Sequence, residues 1–240
     1  DVIRRQRQMC IRDRYYTIDR FAFRETGDTS AVFTMSQDTD VPTGQGFAKS
    51  MKLDCTTADA SPGSGDWVRI RYRVEGQDLQ MIKKGTSSAE TLTMSFWVKS
   101  SKTGTHIVSI YDDDNSGRII AKAYTISSAD TWEKKVITFA GDTTGTLTND
   151  NSSAFRIEWH LLSGSDYQSG TLATSWQTYD ATDISVGQVN LADNTSNNWY
   201  ITGIQLEVGE FDSTSIPSFP FESFENLSLI HISEPTRLSR

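Results

Sequence analysis

Three stretches of this chain place bonding side chains at every second residue. Trp67, Arg69, Arg71 and Arg73 form one set, Trp97 and Lys99 a second, and Arg156, Glu158 and His160 a third. Such a mixture suits saccharide recognition. A flat indole takes the apolar face of a sugar ring, and guanidinium, carboxylate and imidazole groups bond its hydroxyls. If the three stretches share one sheet, Trp67, Arg71, Arg73, Trp97, Arg156, Glu158 and His160 line a continuous groove. The competing reading is a solvated polar sheet face laced by salt bridges such as Arg71–Glu158, because antiparallel sheets ordinarily turn one face to water.

Metal chemistry has one foothold. Asp112, Asp114, Ser116 and Gly117 copy the opening of a calcium loop, D-x-D-x-S-G. The closing bidentate glutamate of an EF-hand would fall on Ala123, so the motif is incomplete. The same residues also make hairpin turns. Catalytic constellations are missing from the pattern. The middle of the chain has two histidines, His106 and His160, with no G-x-S-x-G elbow and no H-E-x-x-H. Carboxylate pairs will arise by chance among so many acidic residues, so they do not point to glycoside hydrolysis. The expectation is a domain that binds without catalysing, and no cofactor is called for.

These side chains need strands to present them. Period-two alternation is clearest at residues 66–74, 91–99, 154–162 and 199–208. Val68, Ile70, Tyr72 and Val74 point one way on the first; Leu92, Met94, Phe96 and Val98 do so on the second; Phe155, Ile157, Trp159 and Leu161 on the third. Fainter strand patterns occur at 20–25, 31–36, 46–55, 105–111, 118–126 and 132–139. A short helix fits 78–84, and the polar stretch 163–198 reads as a long loop with a strand near 185–191. About ten short strands separated by Gly, Asp and Asn turns predict an antiparallel sandwich or barrel. Trp132, Trp159 and Trp199 are expected in the core or at sheet edges.

The totals narrow the partners. A formal charge of −8 argues against nucleic acid. No apolar run reaches the length that spans a bilayer, so membrane insertion is not expected. Two cysteines, Cys10 and Cys55, make no disulfide framework.

Five segments carry resemblances. SFWVKSSKTGTHIVSIYD (95–112), TWEKKVITFAGDTTGT (131–146) and NWYITGIQLEVGEF (198–211) resemble a domain of tail-fibre-like structural proteins of marine bacteriophages and prophages. The likeness runs from Tyr16 to Glu210. It implies an all-β, antiparallel jelly-roll β-sandwich, similar to carbohydrate-binding modules and galactose-binding-like domains. It further implies a place on the virion tail, other virion proteins as partners, contact with host-surface glycans, a homotrimer, and room for a structural calcium. A carbohydrate-binding module of a secreted bacterial glycoside hydrolase is the alternative. After Gly209 the chain departs from that family, reading FDSTSIPSFPFESFENLS where a Cys-containing tail is expected. Finally, RRQRQMCIRDR (4–14) and LSLIHISEPTR (227–237) resemble translated sequencing-adapter DNA at the ends of metagenomic reading frames. The chain therefore divides into a non-native tail at 1–14, a jelly-roll domain at 15–210, an extended segment at 211–226 and a second non-native tail at 227–240.

Overall fold

A computed structural model describes residues 21–26, 28–115 and 117–221; both sequence-assigned tails lie outside them. Eleven strands follow in chain order: β1 Phe21–Glu25, β2 Val32–Asp38, β3 Ser50–Thr57, β4 Trp67–Glu75, β5 Leu92–Ser100, β6 Gly104–Asp112, β7 Arg118–Ile126, β8 Glu133–Phe139, β9 Ser153–Ser163, β10 Gln177–Thr178 and β11 Asn198–Val208. They form two sheets, ordered β1-β4-β9-β6-β7-β10 and β2-β3-β11-β5-β8. Every ladder is antiparallel. The chain crosses repeatedly between the sheets, which makes the molecule a jelly-roll β-sandwich.

Alternation sets which face is buried. On β4 the side chains of Val68, Ile70, Tyr72 and Val74 turn inward, and on β5 Met94, Phe96 and Val98 meet them. Phe96 and Trp159 contact edge to face across the sheet gap, 6.0 Å between centroids. Burying each such side chain contributes about 1.5–3 kcal/mol, so the inward stripe decides the register of every strand. Trp159 and Trp199 are buried, as their alternation requires, while Trp132 sits half-buried at the start of β8. A cavity of about 330 Å³ lies between the sheets, walled by Phe21, Tyr72, Met94, Trp159, Ile201 and Leu206.

Two elements differ from the sequence reading. The helix expected at 78–84 is a 3-10 helix, Gly76–Ile82, stopped by Lys83 at φ 52°. Gly76 packs its Cα against the Thr148 carbonyl, where a Cβ would lie 2.0 Å from the oxygen. The strand expected near 185–191 does not form. Gln188 folds back in a turn onto the Ser185 carbonyl, and its side-chain oxygen accepts from Ile107 N–H at 2.7 Å. The short strand of that stretch is Gln177–Thr178, which pairs with β7.

The stretch 164–190 is no free loop. It lies across the outer face of the first sheet, where Leu172, Ala173 and Ile184 cover Ile107, Ile119 and Ala121 in a second small core. Backbone bonds tie it down: Ala121 N–H donates to Ala173 at 2.7 Å and Val189 N–H to Thr105 at 2.9 Å. Residues 211–217 lie against the other sheet, with Gln205 Nε2 donating to the Pro217 carbonyl at 3.2 Å.

Candidate functional site

Strands β4 and β9 are neighbours, so two of the three sequence sets do come together. The register opposes Arg69 to His160, Arg71 to Glu158 and Arg73 to Arg156. On the far side of β9, Ser109 faces Glu158 and Tyr111 faces Arg156. On the far side of β4, Arg24 of β1 opposes Arg69. Directly opposed residues share a sheet face, and this one is the outer face.

Glu158 is the hinge of the arrangement. Its Oε2 accepts from Arg69 Nη1 at 3.0 Å, and its Oε1 lies 2.6 Å from both Nε and Nη2 of Arg71. Burial would raise the Glu158 carboxyl, but the Arg69 and Arg71 guanidiniums outweigh it and hold it down at about 2. His160 is fully buried, with Nε2 2.9 Å from Ser109 Oγ. Burial, reinforced by Arg69, pushes its imidazole down to about 3, so it is neutral at ordinary pH. The sequence reading placed Glu158 and His160 on the ligand-binding groove; both are instead buried, 3% and 0% exposed. The covering stretch 164–190 takes them out of reach, and their work is to hold the arginines.

Aromatic rings frame these arginines. The Arg69 guanidinium lies 4.4 Å from the Trp67 ring centre and 5.3 Å from that of Tyr167. The Arg156 guanidinium lies 3.9 Å from the Tyr111 ring centre. Arg156 Nε is 2.8 Å from Asp113 Oδ1, an ion pair by distance although the N–H points away from the oxygen. Tyr179 packs edge-on against Tyr111 at 5.5 Å and is 38% exposed. Burial raises the Tyr179 phenol; Arg69 opposes that rise, while Tyr167 and Glu158 add to it. Gly117 makes this pairing sterically feasible. It adopts φ +86°, and a Cβ there would lie 2.6 Å from Tyr111 Oη and 3.3 Å from Tyr179 Cβ.

The open corner of this face thus carries Arg71, Arg73, Arg156, Tyr111 and Tyr179, all partly accessible. Tyr111, Tyr167 and Tyr179 were not picked out from sequence. Tyr111 alternates in phase with Ser109, which would have marked it as outward. Tyr167 and Tyr179 sit in irregular backbone, where no periodicity can place them.

Trp97 does not belong to this surface. It stands half-buried on β5 of the opposite sheet, facing Thr202 and Lys134. The continuous groove through Trp97 is therefore not formed, because Phe96 and Ile157 point toward each other across the core and put the polar faces of β5 and β9 on opposite sides. Lys99 accompanies Trp97 and bonds Asp40, which also accepts from Trp132 Nε1 at 2.9 Å.

The calcium reading of Asp112 and Asp114 is corrected too. Lys84 inserts its ammonium where a cation would sit, 2.7 Å from Asp112 Oδ2, 3.3 Å from Asp142 Oδ2 and 2.7 Å from the Thr144 carbonyl. Asp142 in turn takes Arg118 through two bonds of 2.8 and 2.9 Å. Asp114 turns away and accepts from Thr148 N–H at 2.9 Å. Among the described residues no cluster of three His, Cys, Asp or Glu side chains could hold a metal.

No protein-family model and no curated protein matches the chain. Solved structures with a similar outline include the enzymatically active domain of bacteriophage CBA120 tailspike protein 4, at 14% identity and TM-score 0.41 over 79% of this chain. The chain spans 19% of the length of that tailspike domain. The family 11 carbohydrate-binding module of the Clostridium thermocellum cellulase Lic26A-Cel5E is similar at 13% identity and TM-score 0.42, over 82% of this chain and 92% of the module. TmCBM61, solved in complex with β-1,4-galactotriose, is similar at 11% identity and TM-score 0.39, over 78% of this chain and 88% of its own.

Proposed function

We propose that this domain binds saccharides without catalysing their breakdown, at the β4–β9 corner of the first sheet, as part of a phage tail fibre or tail-associated protein that meets host-surface glycans. One observation carries the binding reading: the Tyr111–Tyr179 pair stands beside Arg156, whose cross-strand neighbour is Arg73, and both arginines are partly accessible. Rings supply stacking faces and the planar donor forks of arginine supply directional bonds to hydroxyls. The corner is held from beneath by ion pairs and hydrogen bonds, so it is preorganised and loses little entropy on binding. The virion setting is supported by the segments at 95–112, 131–146 and 198–211. A genome neighbourhood of capsid and tail genes would favour it, and an adjoining catalytic domain in a longer assembly would favour a hydrolase module instead. A glycan array probed with the parent and with Tyr179→Ala tests binding, with Trp97→Ala on the opposite sheet as control. The reading expects loss in the first variant and none in the second. Equal loss in both, or none in either, would overturn the assigned site.

A further inference from the structure

The same corner selects for charge, and this inference rests on the saccharide reading just given. Six arginines occur between Phe21 and Phe221, and five of them stand on this one face: Arg24, Arg69, Arg71, Arg73 and Arg156. The chain as a whole is acidic at −8. Among the described residues the carboxylates bonded to the five are Glu158 and Asp113. Glu158 serves both Arg69 and Arg71, and Asp113 serves Arg156. Arg73 makes no ion pair among the described residues and is partly accessible. Deeper in the face, Arg69 leaves Nε and Nη2 without an acceptor although its side chain is only 7% exposed, and Arg24 Nε is likewise buried without one.

A buried N–H lacking an acceptor is costly unless an ordered water meets it; Arg69 lies between the Trp67 and Tyr167 rings, so the β4–β9 arginines open to a ligand are Arg71, Arg73 and Arg156. Guanidinium forks match the planar oxygens of carboxylates and the tetrahedral oxygens of sulfates, each through paired bonds. Neutral sugars offer hydroxyls, which need donors and acceptors in balance, and on this face five guanidiniums outnumber the two carboxylates bonded to them among the described residues. We infer that the ligand is an anionic saccharide, a uronic-acid or sulfated glycan, with Arg73 and Arg156 as the groups that read its charge and Tyr111 and Tyr179 as the ring that receives its sugar face.

The test is isothermal titration or affinity electrophoresis of the full chain against matched polymers. Polygalacturonate is compared with its carboxyl-reduced form, chondroitin sulfate with its desulfated form, and polyphosphate reports charge without sugar. The expected result is binding to at least one anionic glycan, at least tenfold weaker binding to its neutral partner, and weak retention on polyphosphate. Arg73→Gln should weaken the anionic glycan about tenfold, the scale of one charge-assisted bond, and shift the unfolding temperature little, since Arg73 makes no side-chain hydrogen bond or ion pair among the described residues. Equal affinity for charged and neutral partners, with Arg73→Gln silent, overturns the charge inference and leaves the saccharide reading standing. Binding to none of the glycans overturns both. Equal binding to polyphosphate overturns the sugar part and leaves a plain polyanion surface.

Discussion

Replacing Glu158 by glutamine removes one charge and almost no volume, and two guanidiniums depend on that charge. Side-chain exposure is 7% for Arg69, 11% for Arg71 and 4% for Glu158, so none of the three is well hydrated. At contact distances of 2.6–3.0 Å the pairing is tight. Unit charges about 4 Å apart attract by about 4 kcal/mol at an effective dielectric near 20. Breaking one partner of a buried pair costs about 3–5 kcal/mol, because the other charge is stranded. Glu158→Gln should therefore lose about 4 kcal/mol. For a domain of this size that is roughly 8–16 °C in unfolding temperature. Thermal and urea unfolding followed by circular dichroism read it directly. A companion variant, Glu158→Leu with Arg69→Met and Arg71→Met, should recover most of the loss, since an apolar triad needs no pairing. A Glu158→Gln protein within about 0.5 kcal/mol of the parent, the scatter of ordinary surface changes, would refute the claim that this carboxylate holds the face together.

Further outcomes follow from other buried groups. His106 and His160 are held neutral by burial, at about 4 and about 3 against an ordinary 6.5. The unfolded chain takes up protons below pH 6.5 and the folded chain does not. Stability should fall on acidification from pH 6.5 toward 4 by about 1.4 kcal/mol per pH unit for each histidine, and urea midpoints of His106→Gln plus His160→Gln should lose that slope. Lys84→Met strands the buried Asp112 carboxylate and leaves Asp142 to Arg118 alone; it should cost about 3–5 kcal/mol, while calcium or chelator leaves the unfolding temperature of the parent unchanged in scanning calorimetry. Gly117→Ala forces a left-handed residue against Tyr111 and Tyr179; it should cost about 1–2 kcal/mol and weaken glycan binding more than Trp97→Ala does.

Much of the sandwich was legible because burial on one face writes period two into the chain. The patterns at 66–74 and 91–99 became β4 and β5 with shifts of one residue at their ends. What was not legible was which strands share a sheet. Arg71 and Trp97 have the same local pattern, and only the order of pairing separates them. The cover over the first sheet was missed for a readable reason. Ile107-Val108 on β6 and Ile119-Ile120-Ala121 on β7 are apolar on consecutive residues, the mark of strands buried on both faces. That signal called for a second layer, and the polar stretch 164–190 supplies it with Tyr167, Leu172, Ala173 and Ile184. The acidic turn after β6 misled for a different reason. Nothing local to Asp112 says that Lys84, far away in sequence, will fill the space of a cation.

Hydrogen exchange with and without a bound anionic glycan tests the central claim most directly. Slowed exchange should gather at residues 69–73, 109–113, 156–158 and 177–180, the strands and turn that carry the arginines and tyrosines. Slowing centred instead on 93–99 and 200–205 would move the binding surface to the Trp97 sheet and contradict the account.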